Sequence, residues 1–427
     1  MRRGAAAPAN AAGGEPAWDH ARSMGAAETV IGLAQFDRRG AGTDAERRAA
    51  AWLCGELQAS GRDARLETFW CRPSWALTHA WHVALGLAGS LVAASDPQIG
   101  GALILVAVLS VLADAVFGVS LGRRLTPERA SQNVVGGGDP GDDRIRLIVT
   151  ANYDAGRMGL VHRDGVRAAT ARLRRLTGNL SPGWVGWLVI ALLWLLAVAI
   201  LRLEGQRGTV AGVAQLLPTV VLVISLALLI ELASAGFGPG AGDDGAGVGV
   251  ALALLRALDA GPPGQLAVEL VLQGAGDGGA IGLRRHLRAR RRTLNVTNTV
   301  VLGIAACGAG RPRWWVSDGT LIPLRSFARL RELSARVAEA EANLSAGPHR
   351  GRGIAPALPA RAAGLPSLTI GCLDERGIAP RSHTPADAAD AVEPAALDAA
   401  LAFALALVDA IDADVARLRR DREAVRG

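Results

Sequence analysis

The apolar residues of this chain are concentrated in two blocks, and the remainder is polar or alternating. The first block spans residues 81–120 and breaks at Asp96-Pro97, which separates an arm at residues 82–95 from an arm at residues 100–120. The second block holds two nearly uninterrupted apolar runs, residues 184–201 and 210–230, joined by a short polar link. A helix that spans a bilayer needs roughly 17–25 apolar residues, so only the first arm is short.

Each block predicts a transmembrane helical hairpin, the first at residues 78–121 and the second at residues 183–235. The alternative is a set of buried core helices in a large soluble domain, because helices that are apolar all round also occur there. Trp184 and Trp187 at the start of the second block favour the membrane, since tryptophan is enriched at membrane interfaces.

Outside the two blocks, helical periodicity and strand-like alternation follow one another. Residues 43–60, 246–258 and 324–344 have helical patterns, and residues 64–70, 144–151, 266–272 and 297–304 have strand patterns. This alternation predicts an α/β fold, a three-layer α/β/α sandwich with a mostly parallel mixed central sheet. The domain comprises residues 21–77, 122–182 and 236–427, after a disordered N-terminus at residues 1–20. A final helix, residues 394–418, is assigned to the domain because its aspartates argue against a membrane span.

The charge pattern indicates sidedness and excludes one class of partner. All 46 basic residues are arginine, against 39 acidic residues. The arginine runs lack the aromatic platforms of a nucleic-acid surface, so no nucleic-acid partner is expected. Arginines follow the first hairpin and precede the second, which by the positive-inside rule predicts a multi-pass membrane protein with its soluble domain in the cytoplasm. The four scattered cysteines indicate neither a disulfide framework nor a cysteine zinc site.

Four short motifs occur in the polar part of the chain. They are NYD at residues 152–154, GDDGAG at residues 242–247, QGAGD at residues 273–277 and HTPAD at residues 383–387. In this order they resemble motifs of zinc-dependent exopeptidases of the aminopeptidase-Y and bacterial leucyl-aminopeptidase type. The equivalent family motifs are His-x-Asp, Asp-Asn-x-Ser-Gly, Glu-Glu and His-Thr-Pro-x-Asp. The transferrin receptor is similar to the same family and uses the fold for binding.

The resemblance implies a site with two zinc ions, of which this chain retains part. Asp243 takes the position of the aspartate that bridges both ions, Asp277 that of the second glutamate and His383 that of the terminal histidine. These three residues are the candidate metal ligands. Asp154 is retained at the position of the residue that orients the first histidine ligand. The four motifs are expected to meet in one cleft at the C-terminal ends of the strands.

Three positions that the family needs are replaced. Asn152 stands where the resemblance implies the first histidine ligand, and Ala305 stands near the position of a further acidic ligand. Gly276 stands where the first glutamate would be the general base, so no catalytic residue is intact. Zero or one zinc ion is therefore expected rather than two, and the three retained residues could also be structural: a helix cap and two loop residues.

Two functions from different classes follow. The first is a catalytically impaired or inactive peptidase homologue that binds or regulates a peptide or protein partner at the membrane. The second is an active metallo-aminopeptidase or other hydrolase with a rearranged, single-zinc site. His349, in the region before the last strand, is either close to the site or, as is more common for such a histidine, an ordinary loop residue, whereas His162 and His286 are expected at the surface.

Overall fold

The structure is a computed structural model that describes residues 17–137, 144–177, 181–206 and 208–426. Helix α1 (Ala17–Ala34) begins at its first residue. The predicted disordered segment, residues 1–20, therefore lies outside the described residues except for the four residues that open α1.

The described strands form one sheet with the order β1-β2-β4-β3-β5-β9-β6-β7, and β8 pairs with β6. Their bounds are β1 (Ala64–Cys71), β2 (Arg129–Gly136), β3 (Ile145–Asn152), β4 (Leu266–Gln273), β5 (Thr299–Ile304), β6 (Arg311–Asp318), β7 (Leu324–Arg325), β8 (Gly347–Arg350) and β9 (Ser367–Leu373). The neighbours β4, β3, β5 and β9 are parallel, and β1, β2 and β6 join antiparallel at the edges. This is the predicted mostly parallel mixed sheet.

Helices cover both faces of the sheet, because successive side chains of each strand point to opposite faces. Leu147 and Val149 of β3 pack into the larger core, whereas Ile148 packs into the core on the other face. The larger core contains α1, α2 (Asp44–Ala59), α9 (Ala246–Ala260), α11 (Ala328–Ala340) and α13 (Pro394–Arg426). The opposite face is covered by α10 (Ile281–Ala289) and α12 (Leu358–Ala362). The predicted three-layer α/β/α sandwich is confirmed.

Both apolar blocks form helices that pack as one bundle. The helices are α3 (Trp75–Val92), α4 (Pro97–Phe117), α7 (Trp184–Leu203) and α8 (Thr209–Ser234), with short connecting helices α5 (Leu121–Arg124) and α6 (Asp164–Leu176) on the domain side. The connection between α3 and α4 ends at Asp96. Its side chain accepts hydrogen bonds from the N–H groups of Gln98 and Ile99 and so caps the N-terminus of α4.

The bundle interior is closely packed and its exterior is apolar. A side chain at Gly86 of α3 would collide with Leu192 of α7, so the glycine permits close helix approach. Ser90 and Thr219 hydrogen-bond across α3 and α8 at 2.8 Å between hydroxyl oxygens. On the outer face, Val210 and Val213 of α8 are 84% and 64% exposed, which water would disfavour.

Among the described residues, four helices are long and apolar enough to cross a membrane: α4, α7, α8 and Pro394–Ala424 within α13. This set differs from the sequence prediction at two places. Helix α3, the short arm, is not in it, since His79 and His82 interrupt its apolar character. Helix α13 enters it by composition, yet Phe403 is fully buried in the α/β core and Asp412 accepts the N–H of Gln265 at 2.7 Å. We therefore place α13 in the soluble domain, as its aspartates predicted.

This placement of α13 predicts the effect of a core truncation. The Phe403 ring stacks on Trp314 of β6 with centroids 5.9 Å apart, so Phe403→Ala leaves a cavity in the domain core. We expect it to lower the free energy of unfolding by about 3–5 kcal/mol. The measurement is denaturant unfolding of the detergent-solubilised protein, followed by tryptophan fluorescence. Leu418→Ala on the exposed part of α13 is the control; equal, small effects of both changes would place α13 outside the domain core.

Candidate functional site

A cavity of about 430 Å³ opens where the loops after β3, β4, β5 and β9 meet the start of α9. We call it the site cavity. Its wall contains Asn152, Asp243, Asp277, Ala305 and His383, so the structure brings together residues from all four motifs. Each side chain stands at or just beyond the C-terminal end of a strand, or at the start of a helix, where open parallel sheets place ligands.

His383 and two aspartates form the polar centre of the site cavity. The Nε2 atom of His383 lies 3.3 Å from Oδ2 of Asp243 and 3.6 Å from Oδ1 of Asp277. Burial disfavours the charged form of His383, but the two carboxylates outweigh it and hold its pKa above the ordinary value. Burial raises the pKa of Asp277, although His383 opposes the shift. The three groups therefore share charge as one cluster.

The orientation of the His383 ring is fixed from behind. Its Nδ1 atom lies 3.2 Å from the backbone carbonyl of Arg157, an acceptor, so Nδ1 carries a proton and donates it. Nε2 is then free to face Asp243 and Asp277. His383 has a φ of 57°, and a Cβ at Gly156 would touch its ring, so the surrounding loops constrain it closely.

Two buried groups shape the loop that carries Asp243. Asp387 accepts the N–H groups of Gly242 and Asp243 at 2.8 and 3.2 Å, and Ser382 donates its hydroxyl to Asp243 at 2.6 Å. Burial and the neighbouring Asp243 raise the pKa of Asp387 to about 6. Arg39 is 1% exposed and donates to the carbonyl groups of Tyr153, Pro239 and Gly240, which connects the NYD motif to the segment just before the GDDGAG motif.

Asp154 anchors the segment that carries Asp277. Its carboxylate accepts the N–H of Gly276 at 2.7 Å and that of Asp277 at 3.2 Å. Full burial, followed by Glu46 and Asp277, raises the pKa of Asp154 well above its ordinary range. The sequence resemblance implied that Asp154 orients the side chain at position 152. In this chain its hydrogen bonds go to the backbone at positions 276 and 277.

Gly276 and Asn152, two positions at which the sequence resemblance implied other residues, are in direct contact. A Cβ built on Gly276 would lie 2.4 Å from Oδ1, 2.6 Å from Cγ and 2.9 Å from Cβ of Asn152. Atoms cannot approach so closely, so any side chain at position 276 requires Asn152 to move. Oδ1 of Asn152 is buried and accepts no hydrogen bond within the described part of the chain. The two replacements are therefore sterically linked.

The sequence analysis missed two residues of the site cavity. The His162 ring stacks on that of His383, with centroids 4.2 Å apart and planes 17° apart. Burial, with His383 and Arg167, lowers the pKa of His162 to about 3, so it stays neutral. Asp244 also lines the site cavity; it is 7% exposed, and its Oδ2 finds no partner among the described residues. The signal for His162 is its position soon after the end of β3, from which the chain stays beside the same sheet edge.

The remaining two histidines singled out in the sequence, His349 and His286, differ in position. His349, in β8, lines the site cavity as the sequence suggested. His286 is 1% exposed and pairs with Glu67 at 2.9 Å, so the expected surface position is wrong for it, as it is for His162. His286 is buried, whereas His162 is half-buried against the His383 ring.

The donor set fits the two zinc ions of the family poorly. In a tetrahedral zinc site, neighbouring nitrogen and oxygen donors lie roughly 3.3–3.5 Å apart, which the His383–Asp243 and His383–Asp277 distances approach. Yet the described residues contain no group of three His, Cys, Asp or Glu side chains arranged to hold a metal ion. Asn152 and Ala305 supply no histidine or carboxylate for a second ion. We derive no catalytic step through zinc.

Comparisons with known proteins place the fold. Residues 232–408 match the family model described as peptidase family M28. No curated protein sequence matches the chain. The match begins in the last turn of α8 and includes three of the four motifs.

Solved structures are similar over almost the whole chain. A Zn-dependent exopeptidase from Parabacteroides distasonis is 14% identical, with 90% of this chain and 96% of that chain covered and a TM-score of 0.51. A Tannerella forsythia glutaminyl cyclase is 14% identical, with coverage of 91% and 98% and a TM-score of 0.51. LapB from Legionella pneumophila is 11% identical, with coverage of 93% and 75% and a TM-score of 0.50. These values show a shared fold, with a mixed α/β core like that of zinc exopeptidases.

The contact between positions 276 and 152 predicts a measurable coupling. Gly276→Ala should destabilise the protein by about 1–3 kcal/mol, because the added Cβ overpacks against Asn152. In an Asn152→Gly background that cost should fall by about 1 kcal/mol or more. Thermal unfolding of the single and double variants measures the coupling. Gly55→Ala, whose added Cβ would meet no atom within 4 Å, is the control; additive effects of the pair would show that the contact is absent.

Proposed function

We propose that this protein is a membrane-attached, catalytically inactive member of the M28 peptidase fold that binds a peptide or protein partner. One observation carries the proposal: Gly276 occupies the general-base position, and the position of Asn152 leaves no room there for a side chain. Hydrolysis of a peptide requires a base that takes a proton from the attacking water. Loss of a general base costs about 10²–10⁴-fold in rate.

The remaining carboxylates do not replace the base without a loss elsewhere. Asp277 is held through its backbone by Asp154, and its side chain already faces His383. If Asp277 acted as base, Asp243 and His383 alone would remain to hold a metal. Binding needs less: Asp243 and Asp277 place negative charge in a cavity of about 430 Å³, which suits the amino group of a peptide.

A second candidate function rests on Asp244. Its carboxyl group lines the site cavity, and burial together with Asp243 raises its pKa well above the ordinary range. A carboxyl group with a raised pKa can move a proton near neutral pH. The alternative is therefore a hydrolase with at most one zinc ion, held by Asp243, Asp277 and His383, in which Asp244 supplies the base.

The proposal includes membrane insertion through the bundle of α3, α4, α7 and α8. The support is the exposed apolar surface of these helices and the position of Trp75 and Trp184 at the ends nearest the domain. More arginines flank the bundle on the domain side than at its far end, where Arg202 lies, and by the positive-inside rule this difference supports a cytoplasmic domain.

The first test measures turnover and metal content. With added zinc, the purified full chain should hydrolyse aminoacyl substrates no faster than its Asp243→Ala variant, and it should contain at most one zinc per chain. The physical reason is the absent base at Gly276. Steady-state assays on a panel of aminoacyl anilides, with elemental analysis, measure both quantities.

Binding supplies the positive arm of this test. A peptide with a free amino terminus should bind the unmodified chain more tightly than its acetylated counterpart, and Asp243→Ala should remove the difference. Metal-dependent turnover that disappears in Asp243→Ala would overturn the inactive assignment. If Asp244→Asn then abolished turnover without loss of zinc, Asp244 would be the base.

The second test concerns topology. Two hairpins return the chain to the side it left, so reporters fused at Gly205, between α7 and α8, and at Gly427 should report opposite sides of the membrane. Paired alkaline-phosphatase and fluorescent-protein fusions measure sidedness. A reporter at Gly264, in the loop between α9 and β4, should agree with the one at Gly427. If Gly205 and Gly427 lie on one side, the second hairpin does not cross the membrane.

A further inference from the structure

A second cavity, of about 640 Å³, lies between the soluble domain and the helical bundle. Its wall combines α10 with the ends of α3, α4 and α7 that face the domain, and we call it the arginine pocket. Among its lining residues are Trp75, Phe117 and Trp184 from the bundle and Ile281 and Arg284 from α10. It is distinct from the site cavity but adjoins it.

The arginine pocket is strongly positive. Of the described residues that line it, seven are arginine and one, Asp114, has a carboxylate. Asp114 is already engaged, because Arg123 donates two hydrogen bonds to it at 2.8 and 2.9 Å and Ser120 donates another. The other cations of the wall are therefore left without this counter-charge.

Three of these arginines, on and just after α10, lack protein acceptors. The side chains of Arg284, Arg288 and Arg291 make no hydrogen bond or ion pair with any residue that the structure describes. Nε of Arg284 is fully buried, and a buried donor without an acceptor is costly. Arg284 and Arg288 are one helical turn apart, so both project toward the same region of the wall. Arg288 and Arg291 are exposed and only Arg284 has a buried donor, so the three side chains are available to an anionic ligand with several acceptor oxygens.

The surroundings of the pocket indicate where that ligand comes from. Phe117 and Val119, at the pocket rim beyond α4, are 71% and 49% exposed, and Leu109 and Val116 continue this apolar surface along α4. The same rim stands at the domain-facing ends of the bundle helices, where a bilayer would place its headgroups. Negative headgroups concentrate at the cytoplasmic surface, where arginines attract them.

We propose that the arginine pocket binds the phosphate group of an anionic phospholipid, whose acyl chains lie along the exposed apolar side of α4. The phosphate oxygens accept from Arg284, Arg288 and Arg291, which otherwise have no acceptor. Guanidinium groups match phosphate because their donors form a planar fork. The inference depends on the proposed membrane insertion, but not on whether the site cavity hydrolyses peptides.

A ligand in the arginine pocket would also contact residues that line the site cavity. The two cavities share Trp75, Gly278, Arg352, Gly353 and Ile354 in their walls. Gly278 directly follows Asp277, has a φ of 65°, and approaches the Trp75 ring so closely that a Cβ would lie 2.3 Å from it. A lipid in the arginine pocket therefore touches the segment that positions Asp277.

The test compares two lipids that differ only in headgroup charge. The full chain in neutral detergent is titrated with phosphatidylglycerol or phosphatidylcholine of identical acyl chains, and bound lipid is counted by native mass spectrometry. We expect phosphatidylglycerol to bind about tenfold or more tightly, and the double variant Arg284→Ala/Arg288→Ala to lose that preference. Arg292→Ala is the matched control, because Arg292 is exposed on the same segment but does not line the pocket.

A third arm separates the lipid from its free headgroup chemistry. Inorganic phosphate at millimolar concentration should compete weakly, since it lacks the apolar contacts along α4. Equal binding of the two lipids, or an unchanged preference in the double variant, overturns the proposal. Full displacement by inorganic phosphate assigns the pocket to a soluble phosphate and overturns the lipid. If the double variant does not fold, the single variant Arg288→Ala, at an exposed position, decides between these results. Membrane fractionation of the protein is measured separately, and its failure counts against the proposed insertion, not against the arginine pocket.

Discussion

The candidate site depends on one buried interaction, the acceptance of two backbone N–H groups by Asp154. This carboxylate stands at the end of β3 and holds the loop after β4 at Gly276 and Asp277. Because Asp154 is fully buried, removal of either partner would leave an unsatisfied polar group, which is costly. These hydrogen bonds position Asp277 relative to His383, and they hold the backbone of Gly276 close to Asn152. The positions of Asp277 and Gly276 in the cavity are therefore determined by backbone hydrogen bonds within the protein.

The fold could be predicted from the sequence because its cause is local. The alternation in β3 assigns Leu147 and Val149 to one core and Ile148 to the other, and that alternation is visible in the letters. Motif order likewise predicted the meeting of Asn152, Asp243, Asp277 and His383, since parallel strands end at one sheet edge. The position of His162 soon after β3 indicates the same sheet edge, but neither motif order nor alternation predicts its contact with His383. That contact depends on the path of the loop after β3, where the backbone N–H of Leu160 donates to Glu231 of α8.

Apolar character alone did not separate the four-helix bundle from the domain core. Helix α13 has the length and composition of a span, yet its aspartates are used inside the domain: Asp412 by the backbone at Gln265 and Asp414 by Arg329. The candidate span in α8 is also strongly apolar, but most of its valines, with Leu216, Leu217 and Ile224, are exposed. The difference lies in what covers each helix, because an apolar surface is stable in water only where other protein buries it. Burial in the folded chain therefore distinguishes the two classes of helix, whereas composition does not.

The linked replacement of two site residues has a structural consequence beyond the loss of a base. With Asn152 in place, a side chain at position 276 has no space; with a side chain at 276, Asn152 could not keep its position. A side chain added at position 276 alone would therefore collide with Asn152. By contrast, the groups that shape the cavity remain: Asp387 still holds the loop of Asp243, and Arg157 still orients His383. The framework of the cavity therefore does not depend on a side chain at position 276, and this independence is the structural basis of the binding function that we propose.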